Sequence, residues 1–387
     1  MSFDSALRWI ARKQLEKAME ISVAALALTL FFTAGIYYIQ LETDFTKELP
    51  QDNPAIVLNN RVRDTFSGQD SVFVLVRLDP DTKSAKAVYD IRDPRVVKML
   101  QELEDEMADK PGVDKVQSAA ALFSRNNPPN TLDDVKSRLA KVPGSEQLFN
   151  RDYSATTVVV SANVGSSPQK VNSLTQDIKD SIAEVPKPPG VRMSVTGMPP
   201  VRVRIGQILV SDAQYTTVVA SAIILLLLLL TTRPAVRGFL VFNPLLMSLI
   251  WTLGTMGWLG IPLSMVTVGV GAMIMGLGVE YGAFYLSVYE NNREKGKTEG
   301  ESLYVSLKEV GAAIFGSAST TVAGFLALLA ASMPLMHHLG TALALGITYC
   351  FITTLAFNPS IIVVEEKEGR ILLKKLLRME GQGEGMK

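Results

Sequence analysis

Long apolar runs alternate with a mixed polar segment along this chain. Six runs stand out: Ile21–Leu41, Tyr215–Thr232, Phe239–Gly260, Pro262–Tyr289, Val310–Met333 and Leu339–Val364. Each is long enough for a helix crossing ~30 Å of hydrocarbon, which takes about 20 residues. Between the first and second runs the pattern changes to short strands and amphipathic helices. The β-branched runs at 71–78 (SVFVLVRL) and 155–162 (ATTVVVSA) read as strands.

A helical pattern follows each strand. Asp93-Pro94 supplies an N-cap and a proline at the first helical position, and Val96, Leu100, Leu103 and Met107 then recur at helical spacing. Ser167-Pro168 repeats the start, followed by Val171, Leu174, Ile178 and Ile182. Both helices end at Pro-Gly-Val (Pro111-Gly112-Val113, Pro189-Gly190-Val191), and short strands follow at Val113–Gln117 and Val191–Thr196. A β-α-β unit therefore occurs twice, about 78 residues apart, which predicts a ferredoxin-like (split βαβ) sandwich. The stretch between the units, Asn126–Asn150, contains a turn and a short helix opened by Thr131. It fits a cap on the sheet or a functional insertion.

Composition supports a mosaic of lipid-facing and aqueous parts: 48% of residues are apolar, yet 20% are charged. Lys+Arg and Asp+Glu both number 38, so nothing neutralises phosphate in bulk and nucleic acid is not an expected partner. The lone Cys350 and two histidines exclude a cysteine-cluster metal site and disfavour a histidine one. No metal or cofactor is expected, and nothing resembles an enzyme's catalytic constellation. Gly296-Lys297-Thr298 looks like the end of a phosphate-binding loop, but Asn291 stands where its first glycine belongs, so nucleotide binding is not expected.

The basic residues set an orientation. Arg8, Arg12, Lys13 and Lys17 precede the first run; Arg233 and Arg237 lie between the second and third; Arg293, Lys295, Lys297 and Lys308 lie between the fourth and fifth. Residues 41–210 hold 22 basic and 23 acidic residues and are too long to count. The first run is longer than a secretory signal core and reads as a retained anchor. The expected plan is a multi-pass cell-membrane protein with both termini cytoplasmic. Residues 1–17 form an amphipathic segment, 18–41 the first helix, 42–210 an extracytoplasmic α+β domain, 211–364 helices two to six, and 365–387 an amphipathic tail. Tyr37, Tyr38, Tyr215 and Trp258 fall near the outer helix ends, as an aromatic belt would. His337 and His338 are expected in an outer loop.

One carboxylate lies deep within a predicted span: Glu280, in Gly276-Leu277-Gly278-Val279-Glu280-Tyr281-Gly282. A charged side chain in mid-membrane costs roughly 2.5–3.5 kcal/mol on insertion scales, and burial favours the neutral acid. A proton-carrying group is one reading; a structural acid bonded to Ser or Thr on a neighbouring helix is the other. Gly276, Gly278 and Gly282 keep this helix slim, and Gly278 with Gly282 makes a GxxxG pair suited to close packing. Tyr281 points about 100° away from Glu280, so its hydroxyl is expected to serve a carboxylate other than its neighbour's. The fifth helix offers Ser317, Ser319, Thr320 and Thr321 as a polar run that bonds helix four or lines a water path, with Gly324 beyond it.

These segments resemble the resistance-nodulation-division (RND) superfamily, in its mycobacterial-large-membrane-protein and hydrophobe-exporter branch. The likeness rests on Val195-Thr196-Gly197-Met198-Pro199, Gly276-Leu277-Gly278-Val279-Glu280-Tyr281, Thr320-Thr321-Val322-Ala323-Gly324-Phe325, Leu339-Gly340 with Ala344-Leu345-Gly346-Ile347, and Asn358-Pro359-Ser360. It covers about residues 20–365. The resemblance implies proton-coupled export of hydrophobic or amphiphilic molecules, lipids among them, through a porter-like external domain. It casts Glu280, Tyr281, Ser319, Thr320 and Thr321 as the proton relay; relatives usually carry Asp where Glu280 stands. Relatives also have twelve helices in two repeats, so a second copy of this six-helix chain is expected, with Glu280 of one facing Tyr281 of the other. The competing readings are a Sec-type protein-export accessory subunit and a sterol-sensing-like, lipid-binding regulator.

Overall fold

A computed structural model describes residues 3–65, 70–162, 168–232 and 235–367. The chain divides into two units, one of Met1–Glu42, Glu48–Pro50 and Leu209–Lys387, the other of Thr43–Lys47 and Gln51–Ile208.

In the second unit, four strands form one antiparallel sheet in the order β2-β3-β1-β4: β1 Asp70–Leu78, β2 Val113–Gln117, β3 Ala155–Ala162 and β4 Val191–Gly197. Each β-α-β repeat thus supplies one inner and one edge strand. Alternation along β1 and β3 buries one face: Val72 pairs with Val160 and Val74 with Val158, all fully buried. Helices α4 (Pro94–Ala108) and α6 (Pro168–Glu184) add their apolar stripes to that core, among them Leu103 and Ile178 at zero exposure. Asp93 caps α4 by accepting from the Arg95 amide at 2.9 Å. The repeat's second cap, Ser167, lies outside the described residues. Both Pro-Gly-Val turns need their glycine, since Gly112 and Gly190 adopt φ of +84° and +87°. Between the repeats, α5 (Leu132–Leu139) is capped by Thr131 and drives Val135 and Leu139 into the same core, so this segment completes the sandwich. α3 (Pro54–Thr65) precedes the sheet.

The first unit is helical. Amphipathic α1 (Phe3–Glu16) leads into α2 (Ala18–Ile36); α7 (Met198–Thr231), which belongs to this unit from Leu209 on, α8 (Ala235–Leu259), α9 (Val270–Glu294), α10 (Glu299–Leu326) and α11 (Pro334–Ile352) follow. α11 passes through a π-helical turn, Thr353–Phe357, and continues to Lys367. Among the described residues, six helices are long and apolar enough to cross a membrane. α8 is the most enclosed, while α2, α7 and α10 turn most of their surface outward. α2 and α8 cross at glycines: a Cβ on Gly254 would strike the Phe32 carbonyl, and one on Gly257 that of Gly35. Phe32 and Trp251 stack beside this crossing, with ring centres 5.0 Å apart.

α1 packs along the bundle. Asp4 pairs with Lys308 at 3.1 Å, Arg8 lies 4.3 Å over the Tyr304 ring, and the Gln14 amide donates to the Leu355 and Ala356 carbonyls inside the π turn.

Three expectations need correction. The helix that carries the second expected span begins at Met198, ahead of residue 211, because Arg202, Arg204 and Asp212 break the apolar run without breaking the helix; 34 residues rise about 50 Å. The fourth begins at Val270, not Pro262. Thr267 accepts from the Ser264 amide and donates to the Pro262 carbonyl, holding a separate turn ahead of it. His337 and His338 lie in the first turns of α11, where His337 meets the Ala331 carbonyl at 2.7 Å and His338 lies 3.5 Å from Glu48. Arg233 and residues 368–387, most of the expected amphipathic tail among them, lie outside the described residues.

Candidate functional site

α9 has an inner and an outer side. Inward, Gly278 meets Cys350 of α11 and Leu245 of α8, and Gly282 meets the Val241 carbonyl of α8. A side chain at either position would push these helices apart. The Cys350 thiol so approached is itself 2.9 Å from the Ser248 hydroxyl. Tyr281 is 2% exposed, and its hydroxyl reaches Ser317 and Thr321 on α10. That contact fixes α9 against α10, which run in opposite directions.

Outward, Met273, Gly276, Leu277, Glu280 and Phe284 form a stripe that the chain's own helices leave exposed. Glu280 therefore lies in the middle of a membrane-length helix on its uncovered side. A Cβ at Gly276 or at Gly324 of α10 would meet nothing within 4 Å, so neither glycine serves packing within this chain. Ser319 and Thr320 are exposed on α10, and Thr320 donates back to the Gly316 and Ser317 carbonyls. Of the expected relay residues, the fold brings Tyr281 and Thr321 together, places Glu280 beside them, and keeps Ser319 and Thr320 apart. Tyr281 faces inward, so an intersubunit partner for Glu280 would have to be another group unless Tyr281 swings out.

A groove of about 310 Å³ between α9 and α10 joins Glu280, Tyr281 and Ser317 at one end to Glu309 at the other. Phe284, Val310, Ala313 and Ile314 make its walls. Sequence reading missed Glu309 because the apolar run starts at Val310. The signal was present further back: Thr298 and Glu301 form a capping box that starts α10 at Glu299 and puts Glu309 well inside it. At the far end of α9 the charges are paired: Arg237 with Glu290 at 2.6 Å, and Arg293 with Glu366 at 3.3 Å. Glu280 and Glu309 have no ion pair among the described residues.

Several buried polar groups nearby escaped the sequence reading. Tyr285, Ser302, Ser306 and Asn358 are fully buried side chains with polar atoms that lack a protein partner. They lie on α9, α10 and just past the π turn, a feature with no reliable sequence signature and one often found at functional sites.

A bundle of six membrane-length helices, one bearing a mid-span carboxylate, with a sheet-containing unit between its first two spans, defines a multi-pass membrane protein built on a transporter plan. Comparison with known proteins makes the class specific. The chain belongs to the MMPL family, whose model matches residues 48–379. It is 36% identical over 375 residues to the membrane protein MJ1562 of Methanocaldococcus jannaschii, covering 96% of each. It is 27% identical over 217 residues to the probable transport protein MmpL9 of Mycobacterium tuberculosis, covering 54% of this chain and 22% of that one. The fold is similar to the cryo-EM structure of the hedgehog release protein Disp of the water bear Hypsibius dujardini, with a TM-score of 0.68 at 14% identity over 94% of this chain. The chain spans half of that protein's chain and under a quarter of MmpL9. The likeness to RND-type exporters drawn from the motifs of α9 and α10 is thus upheld. The protein-export and lipid-regulator readings are not favoured.

Proposed function

We propose that this chain is a proton-driven exporter of hydrophobic or amphiphilic molecules, lipids among them. It works as a pair of six-helix chains, with Glu280 carrying the proton. The carrying observation is the position of Glu280, mid-span and uncovered by its own chain. A carboxylate left against hydrocarbon is costly, so intramembrane acids normally face a bundle interior or a water-filled cavity. A second copy packed against the outer stripe of α9 would supply that interior, and the open flanks at Gly276 and Gly324 suit close approach. Membership of a transporter family supports the reading, as does coverage of half the Disp chain.

On this reading the sheet-containing unit is a ferredoxin-like, porter-like domain outside the cell, and both termini are cytoplasmic. Tyr281, held by Ser317 and Thr321, sets the position of α9 against α10, while Ser319 and Thr320 meet the partner copy or water.

The test uses purified protein in vesicles with an imposed pH gradient and a fluorescently labelled phospholipid as the probe. Glu280→Gln should abolish gradient-driven movement of the probe while leaving the detergent-corrected particle mass at two chains. Undiminished movement overturns the proton role, and a one-chain mass for the wild type overturns the pair.

A further inference from the structure

The groove between α9 and α10 has a carboxylate at each end, and the proposed function uses only one. We infer that Glu309 is the exit carboxylate that takes protons from Glu280 along this groove, and that the apolar stretch between them acts as its gate. The inference rests on the proton-carrying role of Glu280.

Geometry carries the argument. Tyr281 against Ser317 fixes the register of the two antiparallel helices, so Glu309, eight residues before Ser317, lies about 12 Å along the axis from the Glu280 end. It lies toward the α9–α10 turn, the end at which the paired charges of Arg237, Arg293 and Glu366 mark the aqueous boundary. Glu309 is exposed. Its neighbour Lys308 is held by Asp4 at 3.1 Å, so the adjacent cation is engaged elsewhere.

About 12 Å is too far for direct transfer between two carboxyl groups. The 310 Å³ between them has room for several waters, yet the middle is walled by Ala313, Phe284 and Ile314, which offer water no hydrogen bond. Such a stretch conducts when wetted and blocks when dry. When wetted, protonated Glu280 gives its proton to the nearest water, the water chain relays one proton, and the Glu309 carboxylate accepts it. Glu309 then releases the proton to the aqueous side, and Glu280, left anionic, is ready for the next. Drying of the middle then separates the two acids and prevents return.

The experiment measures proton flux into vesicles with an entrapped pH-sensitive dye, under an imposed pH gradient with the membrane potential clamped. Wild type should exceed empty vesicles, and Glu280→Gln should fall to the empty-vesicle rate. Glu309→Gln should fall about tenfold, and Glu309→Asp should recover most of the rate. Ala313→Leu, which fills the middle and leaves both acids in place, should fall as far as Glu309→Gln. Size-exclusion elution checks that each variant is folded. Glu309→Gln or Ala313→Leu at the wild-type rate, with Glu280→Gln at background, overturns this inference and leaves the proton role of Glu280 standing. Glu280→Gln at the wild-type rate, or wild type no faster than empty vesicles, overturns both.

Discussion

The contact at Gly278 gives a quantitative handle on how α9 is held. A Cβ built there falls well inside van der Waals contact distance of Cys350 Sγ, 3.0 Å from Leu245 Cδ2 and 3.4 Å from Cys350 Cβ. Cys350 is 1% exposed on α11 and Leu245 is 1% exposed on α8, so neither has free volume to retreat into. Gly278→Ala should therefore cost about 1–3 kcal/mol, the usual range for overpacking. At roughly 2–4 °C per kcal/mol for a unit of this size, the apparent Tm in detergent should fall by roughly 2 to 12 °C. The clash has one main partner, which makes it reversible. Cys350→Ala removes Sγ and leaves the ordinary 3.4 Å contact with the residue's Cβ and the 3.0 Å approach to Leu245 Cδ2, the far end of a flexible side chain. Ser248 loses its thiol neighbour but keeps its bond to the Leu245 carbonyl, so the rescuing substitution leaves no orphan. The double variant should regain most of the loss, a coupling of about 1–2 kcal/mol, within the range for residues in contact. Thermal unfolding of the four proteins in one detergent reads the cycle. A Gly278→Ala protein as stable as wild type, or losses that simply add, would refute the close α9–α11 contact.

Other outcomes follow from the same structure. Leu103→Ala, at a fully buried position under the sheet, should destabilise the sheet-containing unit by about 2–5 kcal/mol; hydrogen exchange should show the loss across β1–β4 and none in α9. Burial works against the charge on Asp90, but Arg92, bonded to it at 2.7 and 2.9 Å, outweighs this and holds its carboxyl below the usual range. That contribution is complete above about pH 4 and drains away as pH falls further, so Asp90→Asn should flatten the acid limb of the unit's unfolding profile, and an unchanged limb would count against the pair. Gly276→Leu should leave the unfolding temperature of single chains unchanged, because its Cβ direction is open. On the proposed pairing it should shift the detergent-corrected mass from two chains toward one, and an unaltered mass would count against pairing through this side of α9.

Much of this molecule was legible in its sequence, for physical reasons that also explain the misses. β1 and β3 show as β-branched runs because each buries a whole face, and α4 and α6 show because each presents one apolar stripe to the sheet. The spans show because hydrocarbon demands about 20 apolar residues. The same rule hid the first half of α7, where Arg202 and Asp212 are ordinary for a helix that need not be in lipid. It also hid Glu309, cut off at the edge of an apolar run although the Thr298–Glu301 capping box announces an earlier start. Which side of α9 faces inward was not legible. Apolar residues surround this helix on all sides, so hydrophobic periodicity carries no phase. Gly276 and Gly278 look alike in the sequence, and only the neighbours of each tell them apart.

That last distinction bears on what Glu280 can do. Gly278 and Gly282 are used up in bringing α9 onto α8 and α11, so the GxxxG pair holds the helix within its own chain. The close contact lies on one side of α9 and Glu280 on another. Tyr281, one residue on, is pinned at 2% exposure by α10, so a rotation that carried Glu280 inward would have to pull Tyr281 from Ser317 and Thr321 and drive Gly278 out of its fit against Cys350. Several close contacts would break together. It follows that the surroundings of Glu280 change more cheaply than its own helix turns: water enters or leaves the groove toward Glu309, or whatever covers the outer stripe moves. A proton carrier in this fold is therefore expected to stay in place while access to it alternates.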